Sequence, residues 1–187
     1  MRCVAAPGAG DAVALASDAG ATGVLVTLAG GVHTAAQVRK VHSYRVDAFA
    51  SVDEAKLAVV EEGVVRWLAH PAPVDVALGL ASISRPVARW PRVQIVFNHV
   101  GAGGAVVEAL VAHGVDGLVV AGTGNGTVSV SLEAALRAAQ ASGVQVLRST
   151  RCDAGPVSTS PNALPSAGVL SPVKARIELL LLLLARS

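Results

Sequence analysis

The strongest constraint on the fold lies between residues 93 and 148. Short apolar runs alternate there with helix-length segments closed by glycine. VQIVF (93–97) precedes a segment from Gly103 to His113 that ends at Gly114. Gly117–Ala121 follows, then Leu132–Ala141 ending at Gly143, then VQVLR (144–148). Runs this short and this apolar suit strands buried in a sheet. A strand–helix–strand–helix–strand order brings successive strands into one parallel sheet by right-handed crossovers. Pro172–Ala185 reads as one more helix, with Pro172 in its first turn, where a missing N–H costs nothing. The fold class is therefore α/β: a parallel sheet with flanking helices.

The first part of the chain is less regular. Asp11–Ala19 reads as a short helix, and GVLVTLA (23–29) as a buried strand broken at Gly30–Gly31. Thr34–Val41 suits one or two helical turns, and Tyr44–Ser51 leads into a more ambiguous stretch, Val52–Leu68. Residues 70–92 contain Pro71, Pro73, Pro86 and Pro91 and read as a linker. The expected organisation is a first region over 1–70, a linker over 71–92 and the parallel α/β domain over 93–187. A chain of this length buries about 70% of the surface its unfolded form exposes, enough for a core.

Several function classes find no support. Charged residues make up 15% of the chain and hydrophobic ones 52%, a balance far from disorder. Net charge is +2, with no Lys/Arg cluster interleaved with aromatics, so no nucleic-acid partner is expected. Leu179–Leu184 is an apolar run, but Arg176, Glu178 and Arg186 surround it, so no membrane span is expected. The opening MRCVAAPGAG lacks a signal-peptide layout, and the chain as written is expected in the cytoplasm. Cys3 and Cys152 form no CxxC and read as buried or incidental thiols. His33, His42, His70, His99 and His113 show no metal spacing.

The segment VDGLVVAGTGNGTVS (115–129) holds the most informative loop. It lies beyond the carboxyl end of a strand, where ligands of open parallel sheets bind. Its GTGNGT misses the GxGxxG dinucleotide spacing, lacks the lysine of a phosphate loop and lacks the serine of a nucleophile elbow. By spacing alone it is a tight strand-to-helix turn. Arg148 and Arg151, flanking Ser149 and Thr150, suit either anion contacts or pairing with a carboxylate. A small-anion-binding, flavodoxin-like domain using Gly122–Gly126 and Arg148 is thus one alternative.

VDGLVVAGTGNGTVS resembles the DGIVxAGxGNG segment of the bacterial-type L-asparaginase family. QVLRSTRCDAG (145–155) is similar to that family's VVRSSR…G, and LSPVKARIELLLLL (170–183) to its LxPxKARxLLxLAL helix. GVLVTLAGGVHTAAQVRKVHSYRVDAFAS (23–51) is similar to GVLVVxND…VTKTxTxxxxxFxS. The likeness covers about 23–51 and 93–184, four blocks in the family's order.

The resemblance implies an asparaginase C-terminal α/β domain preceded by a remnant of the N-terminal one. It implies hydrolysis of the side-chain amide of L-asparagine or L-glutamine to the acid and ammonia, with no cofactor and no metal. In the family a threonine hydroxyl attacks the amide carbon, and a second threonine, an aspartate and a lysine move protons. Lys40 matches the family's catalytic lysine, although Arg39 and Val41 replace its flanking threonines. Asn125 matches the asparagine of GNG, a substrate-binding residue that reaches a neighbouring subunit's site. No TGGTI-like or GTD segment occurs in residues 1–187, and AGPVSTSPNALPSAG (154–168) lacks the acid the family places there. The expectation is a chain without the threonine nucleophile, inactive alone, forming a homo-oligomer or joining full-length asparaginase subunits. A non-catalytic subunit-interaction module completing a partner's site is the other alternative.

Overall fold

A computed structural model describes residues 2–5, 8–71, 83 and 85–186; most of the expected linker lies outside them. The chain divides into two compact units, Met1–Asp75 and Val76–Ser187.

The second unit is a three-stranded parallel sheet with helices on both faces. Strands β8 (Val93–Phe97), β9 (Gly117–Gly122) and β10 (Gln145–Thr150) run in the order β10-β9-β8. Gly117 of the central strand pairs with Val93 on one side and Gln145 on the other. All of β9 is buried, so its two faces are both apolar. Leu118 and Val120 meet α2 (Ala105–Ala112) and α3 (Val130–Ala141) through Val107, Leu132, Leu136 and Ala139. Val119 points the other way, into a cluster with Ala175, Leu179, Leu180 and Leu184 of α4 (Pro172–Arg186). Leu179, Leu180 and Leu184 of the leucine run thus form the sheet-facing stripe of α4, and each contributes about 1.5–3 kcal/mol. No helix among the described residues is long and apolar enough to cross a membrane.

The ends of these helices are set by local bonds. Ser129 caps α3: its Oγ accepts from the Leu132 amide at 3.4 Å and donates to the Ala102 carbonyl at 2.7 Å. Arg176 of α4 donates Nε to the Val93 carbonyl at 2.8 Å, tying that helix to the start of β8. Asp116 accepts the Arg92 amide at 2.7 Å and so shapes the entry to β9.

The first unit is mixed. Strand β1 (Arg2–Ala5) pairs in parallel with β2 (Val24–Leu28) across the helix α1 (Ala9–Ser17). The rest of that sheet, β3 (Gly31–Thr34), β6 (Ala58–Glu61) and β7 (Val64–Trp67), is antiparallel. Its core joins Leu15 of α1 to Leu25, Val32, Ala58 and Val60 of the sheet. A two-stranded ribbon, β4 (Val38–Lys40) and β5 (Phe49–Ser51), completes the unit. The helical turns expected over Thr34–Val41 are absent. The Thr34 hydroxyl and carbonyl both accept from the Gln37 amide, at 3.2 Å each, and this turn leads straight into β4.

Candidate active site

Lys40 ends β4, opposite Phe49, and its side chain is exposed. What fixes it is the ribbon. Val38 pairs with Ser51, and the buried Ser51 hydroxyl lies 2.7 Å from Nδ1 of His33 on β3. His33 is 1% exposed, and burial, followed by the charge of Lys56, holds its pKa below the ordinary imidazole value. The neutral ring thereby moors the Lys40 ribbon to the five-stranded sheet. His42 acts differently: its Nδ1 accepts the Tyr44 and Arg45 amides, each at 3.1 Å, in the exposed turn after Lys40. Thr27 lies within β2, 2% exposed, its hydroxyl without a hydrogen-bond partner among the described residues.

Asn125 stands in the other unit, at the carboxyl end of β9. The turn that carries it folds back on itself. Thr123 and Thr127 exchange amide–carbonyl bonds of 2.9 and 2.7 Å, with Gly124 and Gly126 at φ 49° and 74°. A Cβ on Gly122 would lie 2.6 Å from the Gly126 carbonyl oxygen, so this position admits only glycine. The bare loop is bare because its own backbone closes on itself.

Three side chains then fasten it. Asn125 donates Nδ2 to the Ser158 hydroxyl at 2.6 Å and accepts the Ser158 amide on Oδ1 at 2.8 Å. Arg148 of β10 donates to the Asn125 carbonyl at 3.1 Å and to the Ser158 carbonyl at 2.7 Å. The Thr150 hydroxyl donates to the Gly124 carbonyl at 2.6 Å. Behind the turn, buried Asn98 donates to the Thr127 carbonyl at 3.3 Å and accepts the Ser129 amide at 3.0 Å.

These bonds bear on the anion-binding alternative. Both terminal nitrogens of Arg148 are engaged by carbonyls, and the Thr123 and Thr127 amides each donate to the other's carbonyl. Arg148 pairs with backbone oxygens, where the sequence suggested an anion or a carboxylate. Ser158 and Asn98 are not singled out by the sequence, and Thr150 is marked there only by the arginines that flank it. Asn98 left a signal, a polar residue directly after an apolar strand, whereas Ser158 sits in a loop with no period to mark it. Among the described residues no group of three or more His, Cys, Asp or Glu is placed to hold a metal. Cys152, beside Thr150, is exposed.

The three-stranded parallel sheet with a closed glycine turn at its carboxyl end, following a five-stranded mixed sheet, defines a two-unit α/β protein. Residues 6–73 match the family model described as asparaginase, N-terminal, and residues 92–187 that of the glutaminase/asparaginase C-terminal domain. The chain belongs to the bacterial-type asparaginase family. It is 32% identical to L-asparaginase 2 of Escherichia coli K12 over 167 residues, which are 86% of this chain and 48% of that protein. It is 33% identical to the glutaminase-asparaginase of Pseudomonas fluorescens biotype A, over 77% of this chain and 39% of that one. The crystal structure of a probable cytoplasmic L-asparaginase from Campylobacter jejuni is similar at a TM-score of 0.75 and 34% identity, covering 92% of this chain and 55% of that one. The chain therefore spans about half the length of the relatives it matches.

Proposed function

We propose that this chain forms part of an amidohydrolase that converts L-asparagine or L-glutamine, with water, to the acid and ammonia. Lys40 moves a proton at the reacting amide and Asn125 holds the substrate. The observation that carries this reading is the consecutive match to both family domains, with Lys40 ending β4 and Asn125 in the turn that follows β9. A lysine on a moored ribbon serves proton transfer once substrate and partner remove it from water, since burial favours its neutral form. Asn125 is a neutral contact suited to orienting a polar substrate without adding charge.

The nucleophile in this reading comes from outside residues 1–187, in which no TGGTI-like or GTD segment occurs. The partner is a further asparaginase polypeptide or subunit, and neither metal nor organic cofactor takes part. The test is complementation. A full-length asparaginase disabled at its own GNG asparagine is mixed with this chain, and ammonia release from L-asparagine is followed. Recovered release that is lost with Asn125→Ala in this chain supports the reading; no recovery at any mixing ratio rejects it.

A further inference from the structure

We propose that Ser158 is the positioning residue of Asn125 and decides which edge of its carboxamide is left for a ligand. The proposal rests on the reading of Asn125 as the substrate contact. Asn125 is exposed and lies between two glycines with positive φ, a backbone that by itself does little to fix its side chain. Ser158 supplies what the backbone does not. Its amide N–H can only donate, so the atom it meets at 2.8 Å is the carboxamide oxygen. Its hydroxyl then accepts from the carboxamide nitrogen at 2.6 Å. Both bonds go to one residue and so occupy the edge where oxygen and nitrogen lie side by side. One N–H and one oxygen lone pair are left, and they diverge. Asn125 thus meets a ligand through single bonds, to one acceptor or one donor, and not through a paired two-bond edge. Arg148 holds the arrangement in register, because one guanidinium spans the carbonyls of both residues.

The same clamp governs a reaction internal to the chain. Asn125 precedes Gly126, and the Gly126 amide nitrogen can attack Asn125 Cγ. The new N–Cγ bond forms, the Cγ–Nδ2 bond breaks, and Nδ2 leaves as ammonia, taking up the proton that Gly126 loses. Water then opens the succinimide to aspartate or isoaspartate. A carboxamide held at both ends by Ser158 turns onto Gly126 less often, so the clamp slows this loss.

The experiment uses the isotope-labelled 187-residue chain without substrate. The Asn125 side-chain NH₂ resonances are assigned, and conversion of Asn125 is followed by mass spectrometry during incubation at neutral pH. The expected result is an NH₂ pair shifted from the free-amide position and slow to exchange. Ser158→Ala moves it toward the free position and converts Asn125 several-fold faster. Ser158→Thr, which keeps the hydroxyl and the amide, restores both. Free-amide shifts in the unsubstituted chain, or equal conversion rates with Ser158→Ala, overturn the proposal. The spectrum decides the clamp and ammonia release from added substrate decides the function, so the two fail separately.

Discussion

Asn125 and Ser158, 33 residues apart in the chain, are joined by two hydrogen bonds, one from each end of the asparagine carboxamide. Arg148 bonds the backbone carbonyl of each. The glycine turn after β9 and the loop after β10 are thereby one structural piece. Arg148→Met keeps most of the packed stem and removes both bonds. It is expected to lower the stability of the chain by about 1–2 kcal/mol, since each of the two bonds, at a partly solvated donor, is worth about 0.5–1 kcal/mol. Denaturant midpoints of the two proteins check this. An unchanged midpoint would show that the guanidinium is spent on solvent.

Gly122 is a sharper case. Its substitution by alanine places a methyl group against the Gly126 backbone, which cannot move aside while Thr123 and Thr127 stay paired. The expected cost of Gly122→Ala is about 2–3 kcal/mol or more, the range of forced overpacking. Gly124→Ala at φ 49° meets nothing within 4 Å and is expected to cost only the backbone strain, about 1 kcal/mol. Thermal unfolding of the pair, followed by circular dichroism, separates steric from conformational cost.

The two units differ in how far their sequences announced them. In the second unit the strands at 93–97 and 117–121 follow from the apolar runs alone, because a doubly buried strand tolerates little else. Helix starts moved by two residues, Gly103 to Ala105 and Leu132 to Val130, because caps such as Ser129 set them and the apolar period does not. In the first unit the antiparallel strands hid in half-buried alternation, as in β7, where exposed and half-buried residues alternate. The signals there were the turns. Ala29–Gly30 and Glu62–Gly63 both have positive φ at each residue, 48° and 73°, then 51° and 78°. Such two-residue turns make hairpins by matching strand twist. The candidate site divides likewise: Lys40 and Asn125 are nominated by resemblance, while the bonds of Ser158 and the mooring bond from His33 to Ser51 are visible only in three dimensions.

The hairpin turn carries its own expected outcome. Glu62 occupies a left-handed conformation that glutamate tolerates poorly and asparagine well. Its side chain is exposed and accepts no bond among the described residues, whereas the neighbouring Glu61 pairs with Arg66. Glu62→Asn is therefore expected to stabilise the chain by about 0.5–1 kcal/mol, the usual gain from relieving such a position. A shift of the unfolding midpoint to lower denaturant would contradict it.

His33 makes stability depend on pH. Its folded pKa lies below the ordinary 6.5, through burial first and Lys56 second. Above that value the ring is neutral in both folded and unfolded chains and contributes no slope. As pH falls below 6.5 the unfolded chain takes up a proton that the folded chain refuses, so stability is lost until pH reaches the folded value. The contribution of one such group is at most about 1.4 kcal/mol per pH unit. Unfolding curves between pH 7 and pH 5 should show this fall, and His33→Gln, which retains a hydrogen-bonding group toward Ser51, should lessen it. Equal slopes in both proteins would mean that His33 takes up its proton as readily in the folded chain as in the unfolded one, and would contradict the lowered pKa.

Lys40 separates stability from chemistry. Its side chain is exposed at the end of β4, so Lys40→Ala is expected to change stability by less than about 0.5 kcal/mol. Under the proposed function its effect is on turnover. The 187-residue chain alone is expected to release no ammonia from L-asparagine or L-glutamine, because a lysine and an asparagine orient and protonate but form no acyl intermediate. In the complementation mixture, an assembly that draws its lysine from this chain loses release with Lys40→Ala while the complex persists. An assembly that draws only Asn125 is indifferent to it. Release by the chain alone, abolished by Lys40→Ala, would place a nucleophile within these residues. The search for it would then begin near the β4–β5 ribbon, where Lys40 and the buried Ser51 stand on paired strands.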